Sequence, residues 1–153
     1  MANTYASLIA HVIFSTKNRE DLINRDIEAR LWAYLGGMAR ENNFKALCIG
    51  GIANHVHLLL SLPPDLAVSK AVQLLKGGSS AWVKETFPKV AGLAHFAWQD
   101  GYAAFSVSKS QVEEVRQYIE KQREHHSVKT FEEEYRAFLA RHEVVSEEKY
   151  LWG

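Results

Sequence analysis

The 153-residue chain has little of what would pin it to several large protein classes. Cys48 is its only cysteine, so no intramolecular disulfide can form and no oxidising compartment is needed. No apolar run approaches the roughly 18–20 residues of a membrane-spanning helix. Neither sign of charge prevails: 18 basic and 18 acidic residues leave a formal net charge of zero. That balance excludes a purely electrostatic nucleic-acid coat but leaves room for a local basic patch. Internal repeats, low-complexity tracts and a phosphate-binding glycine loop are all missing from the sequence. The N-terminal residues lack the basic stretch, apolar core and cleavage site of a secretory leader, so a cytoplasmic location is expected. What remains is 47% hydrophobic residues in a length suited to one domain spanning 1–153.

Periodicity organises the rest. Tyr5 to Ser15 reads as a first strand and Asp26 to Glu41 as a helix, with Ile27, Leu31, Tyr34, Leu35 and Met38 at spacings of three and four. Phe44 to Ile49 reads as a second strand, Gly50-Gly51 as a turn, and Ile52 to Leu62 as a third strand stopped by Pro63-Pro64. A helix from Leu66 to Phe87 follows, with Gly77-Gly78 marking a kink or a close backbone approach. Phe96 to Val107 suggests a strand or hairpin turning at Asp100-Gly101. Ser108 to Gln111 fits a capping box opening a helix to about His126, and Thr130 to Glu133 fits a second one, opening a helix to about His142. The order βαββαβ predicts an α+β ferredoxin-like sandwich: an antiparallel sheet with helices packed on it, plus extra C-terminal helices.

The chemistry concentrates at Asn54-His55-Val56-His57. A strand alternates its faces, so His55, His57 and Leu59 share one side, and two adjacent imidazoles form half of a metal site. The bland alternative is a pair of hydrogen-bonded core histidines. A second constellation, Tyr118-Ile119-Glu120-Lys121-Gln122, puts Tyr118 and Gln122 on one helical face. Taken alone, Tyr118 reads as a core aromatic beside Val115 and Ile119.

Together these segments resemble the small single-tyrosine HUH transposases of bacterial insertion sequences, the IS200-like superfamily, and their REP-associated relatives. The resemblance runs through His11 to Arg19, Gly51 to His57, Trp98 to Ser108, Tyr118 to His126 and Tyr150-Leu151-Trp152. It implies a single-strand DNA transposase that recognises hairpin-containing ends. His55, His57 and Gln122 would hold one divalent metal, Mg²⁺ or Mn²⁺. Tyr118 would be the nucleophile, forming a 5′-phosphotyrosine. The protein would act as a homodimer, with Tyr118 placed in its own subunit or the other's. Metal-assisted transesterification at a phosphate needs charge neutralisation, alignment and a nucleophile, and these residue types supply all three.

Lys17, Arg19, Lys70 and Lys76 are candidate phosphate contacts, and Trp98 a candidate stacking platform for unpaired bases. Each also has an ordinary reading as a surface cation or a sheet-packing ring. His125 and His126 read as helix-end histidines, with phosphate contact or support of the site as the alternative; His11 reads as a satisfied sheet histidine, with a place behind the site as the alternative; and Glu132-Glu133-Glu134 reads as a solvated helix start. Two other readings compete with the enzyme: a domesticated relative that binds structured single-stranded DNA with little or no cleavage, and a ferredoxin-like metal-binding regulator.

Overall fold

The computed structural model describes residues 3–126 and 128–152. Four strands, β1 (Leu8–Ser15), β2 (Lys45–Ile52), β3 (His55–Leu62) and β4 (Ala103–Ser106), form one antiparallel sheet in the order β2-β3-β1-β4. Helices α1 (Arg25–Glu41) and α2 (Val68–Thr86) connect them, producing the expected ferredoxin-like α+β sandwich. Three C-terminal helices follow: α3 (Val112–Glu120), α4 (Gln122–His125) and α5 (Phe131–Arg141).

Strand alternation divides the core in two. Val12, Phe14, Val56, Leu58 and Leu60 face α1 and α2, packing against Leu31, Leu35, Val72 and Leu75. On the opposite face, Ile9, Leu59 and Cys48 meet Ile119 of α3. Further along it, Ile13, Ala103 and Phe105 meet Phe131, Tyr135 and Leu139 of α5 and Leu151 of the tail. Covering both faces explains why β3 reads as a nearly continuous apolar run.

Local chemistry sets the ends of elements. Asn24 caps α1, its Oδ1 accepting from the Asp26 and Ile27 amides at 2.9 and 3.1 Å. Asn43, at φ 64°, takes the left-handed position that turns the chain from α1 into β2. The capping box at Thr130 and Glu133 forms as expected. At Ser108 it does not: a short 3-10 turn over Lys109–Gln111 precedes α3, and the Ser108 hydroxyl faces that of Ser110 at 3.1 Å.

Other differences lie at the two glycine pairs, over Phe96 to Val107 and at Lys121. The β2–β3 turn lies at Ala53-Asn54, not at Gly50-Gly51. Both glycines stay in the strand because neighbours press on them. A Cβ at Gly50 would lie 2.5 Å from the Ile119 carbonyl oxygen, and one at Gly51 2.2 Å from that of His55. Helix α2 runs unbroken through Gly77-Gly78, and the close approach is the reading that holds: Gly78 admits Met38 of α1, whose Cε would sit 2.1 Å from an added Cβ.

Of the strand or hairpin expected over Phe96 to Val107, the strand forms, as β4. The segment's residues line one edge of β1, through the Thr16–Trp98 bridge and again from Ile13–Ala103. Between those pairs β1 advances three residues and the other segment five, so Asp100 to Tyr102 loop out. Finally, the helix expected from Ser108 to His126 breaks at Lys121, whose φ/ψ of −101°/21° separates α3 from α4.

Candidate active site

Strand β3 presents two imidazoles to the face covered by α3, α4 and α5. His57 pairs with Ile13 on one side and Gly50 on the other; His55 pairs with Ser15 and Ile52. Both side chains are fully buried. His57 Nδ1 lies 2.7 Å from Nε2 of His11, which shares its face on β1, and its own Nε2 donates to Glu134 Oε1 at 3.0 Å. His55 Nδ1 donates to Asn54 Oδ1 at 2.9 Å. Its Nε2 lies 2.8 Å from Gln122 Oε1 and 3.4 Å from Glu134 Oε1.

The helices complete the cluster. Gln122 donates through Nε2 to Glu134 Oε2 at 3.0 Å, and the Tyr118 hydroxyl donates to that same oxygen. His126 Nε2 reaches both Gln122 Oε1 and Glu134 Oε1, each at 3.1 Å. Aromatic rings wall the site. Phe131 stacks on His55 with centroids 4.4 Å apart, His125 stacks on Tyr118 at 4.4 Å, and Phe138 meets His11 edge-on at 5.1 Å. The break at Lys121 puts Tyr118 and Gln122 on separate helices, yet one carboxylate joins them.

Electrostatics follow from burial and from that carboxylate. Burial would raise Glu134, but hydrogen bonds from His126, His55 and His57 outweigh it and hold the carboxyl well below the usual range. Burial lowers His55 to about 4 against the pull of the Glu134 carboxylate, and lowers His11 well below the ordinary value, with repulsion from His57 adding to it. Tyr118 is pushed above the normal phenol range by burial and then by Glu134, so its hydroxyl keeps its proton.

This donor set suits a cation. A neutral imidazole carries one N–H, yet both ring nitrogens of His55 face oxygens. If Nδ1–H is spent on Asn54, the Nε2 lone pair points at two further oxygen acceptors. A positive ion among them resolves that conflict, and the Asn54 bond fixes the tautomer a metal needs. One atom each from His55, His126 and Glu134 lie within 4.8 Å of one another.

The sequence-derived candidates divide. His55, His57, Gln122 and Tyr118 come together in one chain. Trp98 does not offer a stacking platform: it is 6% exposed, its Nε1–H donates to Ser79 Oγ at 2.9 Å, and its ring packs edge-on against Phe14 and Phe96. The Lys76 ammonium is likewise committed, donating to the carbonyls of Gln99, Asp100 and Gly101 at 2.6–3.3 Å and so gathering the looped-out residues beside β4. Lys17 pairs with Asp100 at 3.6 Å, and Arg19 with Glu132 at 3.0 Å while lying over Trp152. Lys70 is exposed on α2.

Glu134 is the residue that sequence reasoning set aside, and His126, read there first as a helix-end histidine, takes its alternative place beside the site. Glu134 is 2% exposed, the reverse of a solvated helix start. The signal was its spacing: it stands three residues after Phe131 and four before Phe138, inside the apolar stripe of α5.

Residues 4–122 match the family model described as "Transposase IS200 like". The chain is 27% identical over 114 residues to the ISDra2 transposase TnpA of Deinococcus radiodurans, covering 73% of this chain and 81% of that protein. It is 28% identical over 126 residues to the transposase for insertion sequence element IS200 of Salmonella typhimurium, covering 81% and 82%. A crystal structure described as that of a transposase from Deinococcus radiodurans superposes with a TM-score of 0.64 at 27% identity, over 80% of this chain and 95% of that one. A REP-associated tyrosine transposase bound to a REP hairpin superposes with a TM-score of 0.57 over 95% and 74%; at 14% identity that likeness is one of fold. With a family model spanning most of its length and relatives alike in sequence and in fold, the chain belongs to the IS200-like transposase family.

Proposed function

We propose that this transposase cuts and rejoins single-stranded DNA, with Tyr118 as the nucleophile. The observation that carries the reading is one cluster, within one chain, of His55 Nε2, His57 Nε2, Gln122 Oε1 and the Tyr118 hydroxyl, linked through Glu134. His55, His57 and Gln122 would hold one divalent cation, Mg²⁺ or Mn²⁺, which when bound supplies a Lewis acid for phosphate oxygens.

The side chains divide the remaining work. Tyr118 Oη attacks phosphorus, one P–O bond forms, and the bond to the 3′-oxygen breaks. The products are a 5′-phosphotyrosine and a 3′-hydroxyl. The phenolic proton ends on the leaving oxygen, so no proton is gained or lost overall. The new ester keeps the energy of the old one, and rejoining needs no nucleotide cofactor. Phe131 and Phe138 shield the cluster from water, which protects such an ester from hydrolysis. A cavity of about 100 Å³ lined by Tyr118, Lys129, Glu134, Phe138 and Arg141 gives a phosphate its approach, with two cations beside it.

Hairpin-bearing DNA is the proposed substrate, supported by the shared fold with a protein solved bound to a REP hairpin. Within one chain Tyr118 lies beside the same chain's histidines, which supports a homodimer with two sites, each completed within one subunit. The test is a labelled hairpin oligonucleotide with a single-stranded flank, incubated with Mn²⁺. A covalent adduct that survives denaturation should form, and Tyr118→Phe should abolish it. An adduct formed equally by the Phe variant overturns the role of Tyr118. Hairpin binding with no adduct from the unaltered protein makes the chain a binding module.

A further inference from the structure

We infer that Glu134 is a ligand of the same cation, its one negatively charged donor, delivered by a helix that lies outside the family-matched stretch. The inference rests on the metal site proposed above and extends it. Three observations carry it.

First, Glu134 Oε1 stands where the imidazoles converge, 3.0 Å from His57 Nε2, 3.1 Å from His126 Nε2 and 3.4 Å from His55 Nε2. An ion lying between His55 and His57 cannot avoid that oxygen. Second, the carboxylate is almost wholly buried, and its charge is met by hydrogen bonds where a fixed cation would also serve. Its surroundings offer imidazoles, an amide and a phenol, with no lysine or arginine within ion-pairing distance among the described residues. Third, α5 is built to hold it there. Phe131 and Tyr135 anchor one side of the helix in the sheet-facing core, and Phe138 packs on His11 and Tyr118. The matched residues end at 122, twelve positions before Glu134, so this donor is an addition to the part shared with the family model.

The chemistry differs from that of a site with two imidazoles and an amide. Those ligands are all neutral and leave a divalent ion its full charge. A carboxylate cancels one unit, tightens retention of the ion, and still leaves it cationic towards a phosphate. In an octahedral site, four protein donors leave about two positions for phosphate oxygen and water. Mixed imidazole and carboxylate ligation favours Mn²⁺ over Mg²⁺, which prefers oxygen donors. Because Tyr118 donates to the other oxygen of the same carboxylate, one side chain sets both the ion and the nucleophile.

Mn²⁺ binding to the full chain, followed by calorimetry in the absence of DNA, tests this without any activity readout. The substitution Glu134→Gln keeps the side-chain shape and removes the charge; a circular-dichroism melt establishes that the variant is folded. Affinity should fall at least about 10- to 100-fold, the scale of losing even a supporting group at a metal site. If Glu134→Gln binds Mn²⁺ as tightly as the unaltered protein, or more tightly, the carboxylate only fills the site in the absence of an ion and the inference is overturned. If the unaltered protein does not bind Mn²⁺, or His57→Ala binds as well as it does, the underlying metal site fails instead, and the inference with it. A crystal structure with Mn²⁺ gives an independent reading: a Glu134 oxygen about 2.0–2.2 Å from the ion supports ligation, and a carboxylate turned away refutes it.

Discussion

Residues of one type take opposite roles here because of what surrounds them. Glu132, Glu133 and Glu134 are adjacent in sequence. Glu132 pairs with Arg19, Glu133 closes the α5 cap, and Glu134 lies at the centre of the site. The lysines divide in the same way. Lys70 is exposed, whereas Lys76 is half-buried, its ammonium lowered to about 8 by that burial and spent on three carbonyls. Lys76 is therefore a structural cation. Replacing it by Met should cost about 2–3 kcal/mol in urea unfolding, the loss of hydrogen bonds from a charged group. The salt dependence of DNA affinity should not change, whereas removing a true phosphate contact lowers that slope by about one. A lowered slope in Lys76→Met would restore it as a DNA contact. That His55, His57, Tyr118 and Gln122 would gather was anticipated from the family resemblance their motifs carry; spacing alone left Tyr118 a core aromatic. The burial of Trp98 was not legible, since an aromatic strand residue looks the same whether it faces solvent or, as here, Phe14 and Ser79.

Elements were legible where periodicity was strong and obscure where one backbone presses against another. Helices α1, α2 and α5 and the order of strands follow from apolar spacing. The turn after β2 did not, because Gly50-Gly51 is in the strand for a reason that sequence does not display: α3 rests on it. Ile119, next to Tyr118, has its carbonyl oxygen 2.5 Å from where a Gly50 Cβ would stand. Gly50 also pairs with His57, so this contact sets the distance between Tyr118 and the histidines. Gly50→Ala should destabilise the protein by about 1–3 kcal/mol through overpacking and reduce adduct formation, because α3 must move outward. Gly77 provides the control. Nothing lies within 4 Å of an added Cβ, and the residue is inside α2. Gly77→Ala should be stabilising by up to about 1 kcal/mol and leave adduct formation unchanged. Thermal melts and adduct gels on the two variants check both halves; equal behaviour would remove Gly50 from the positioning of α3.

At the scale of the whole molecule, the sheet buries a polar cluster as deeply as its apolar core, and that makes stability depend on pH. In metal-free protein His11 and His55 are held neutral by burial, with His55 at about 4, while in the unfolded chain they titrate near 6.5. The unfolded state then binds more protons between those values, so stability is present above about 6.5 and is lost as pH falls through that window. Glu134 acts in the same direction at lower pH: its depressed carboxyl stabilises the fold above its ordinary value of 4.5, and that contribution fades on further acidification. His55 alone accounts for roughly 3 kcal/mol over its window, at 1.36 kcal/mol per pKa unit. Urea unfolding in a chelator at pH 8, 6 and 5 should show the decline, and a flat profile would contradict the buried neutral histidines. A bound ion needs those same imidazoles unprotonated, so its effect should share the dependence. Mn²⁺ at about a hundred times its dissociation constant should add about 2.7 kcal/mol at pH 8, which in a chain of this length raises the melting temperature by about 5–10 °C. At pH 5 the same concentration should give a much smaller shift, because protons compete for the ligands. A shift that is equal at both pH values would place the ion somewhere other than among these histidines.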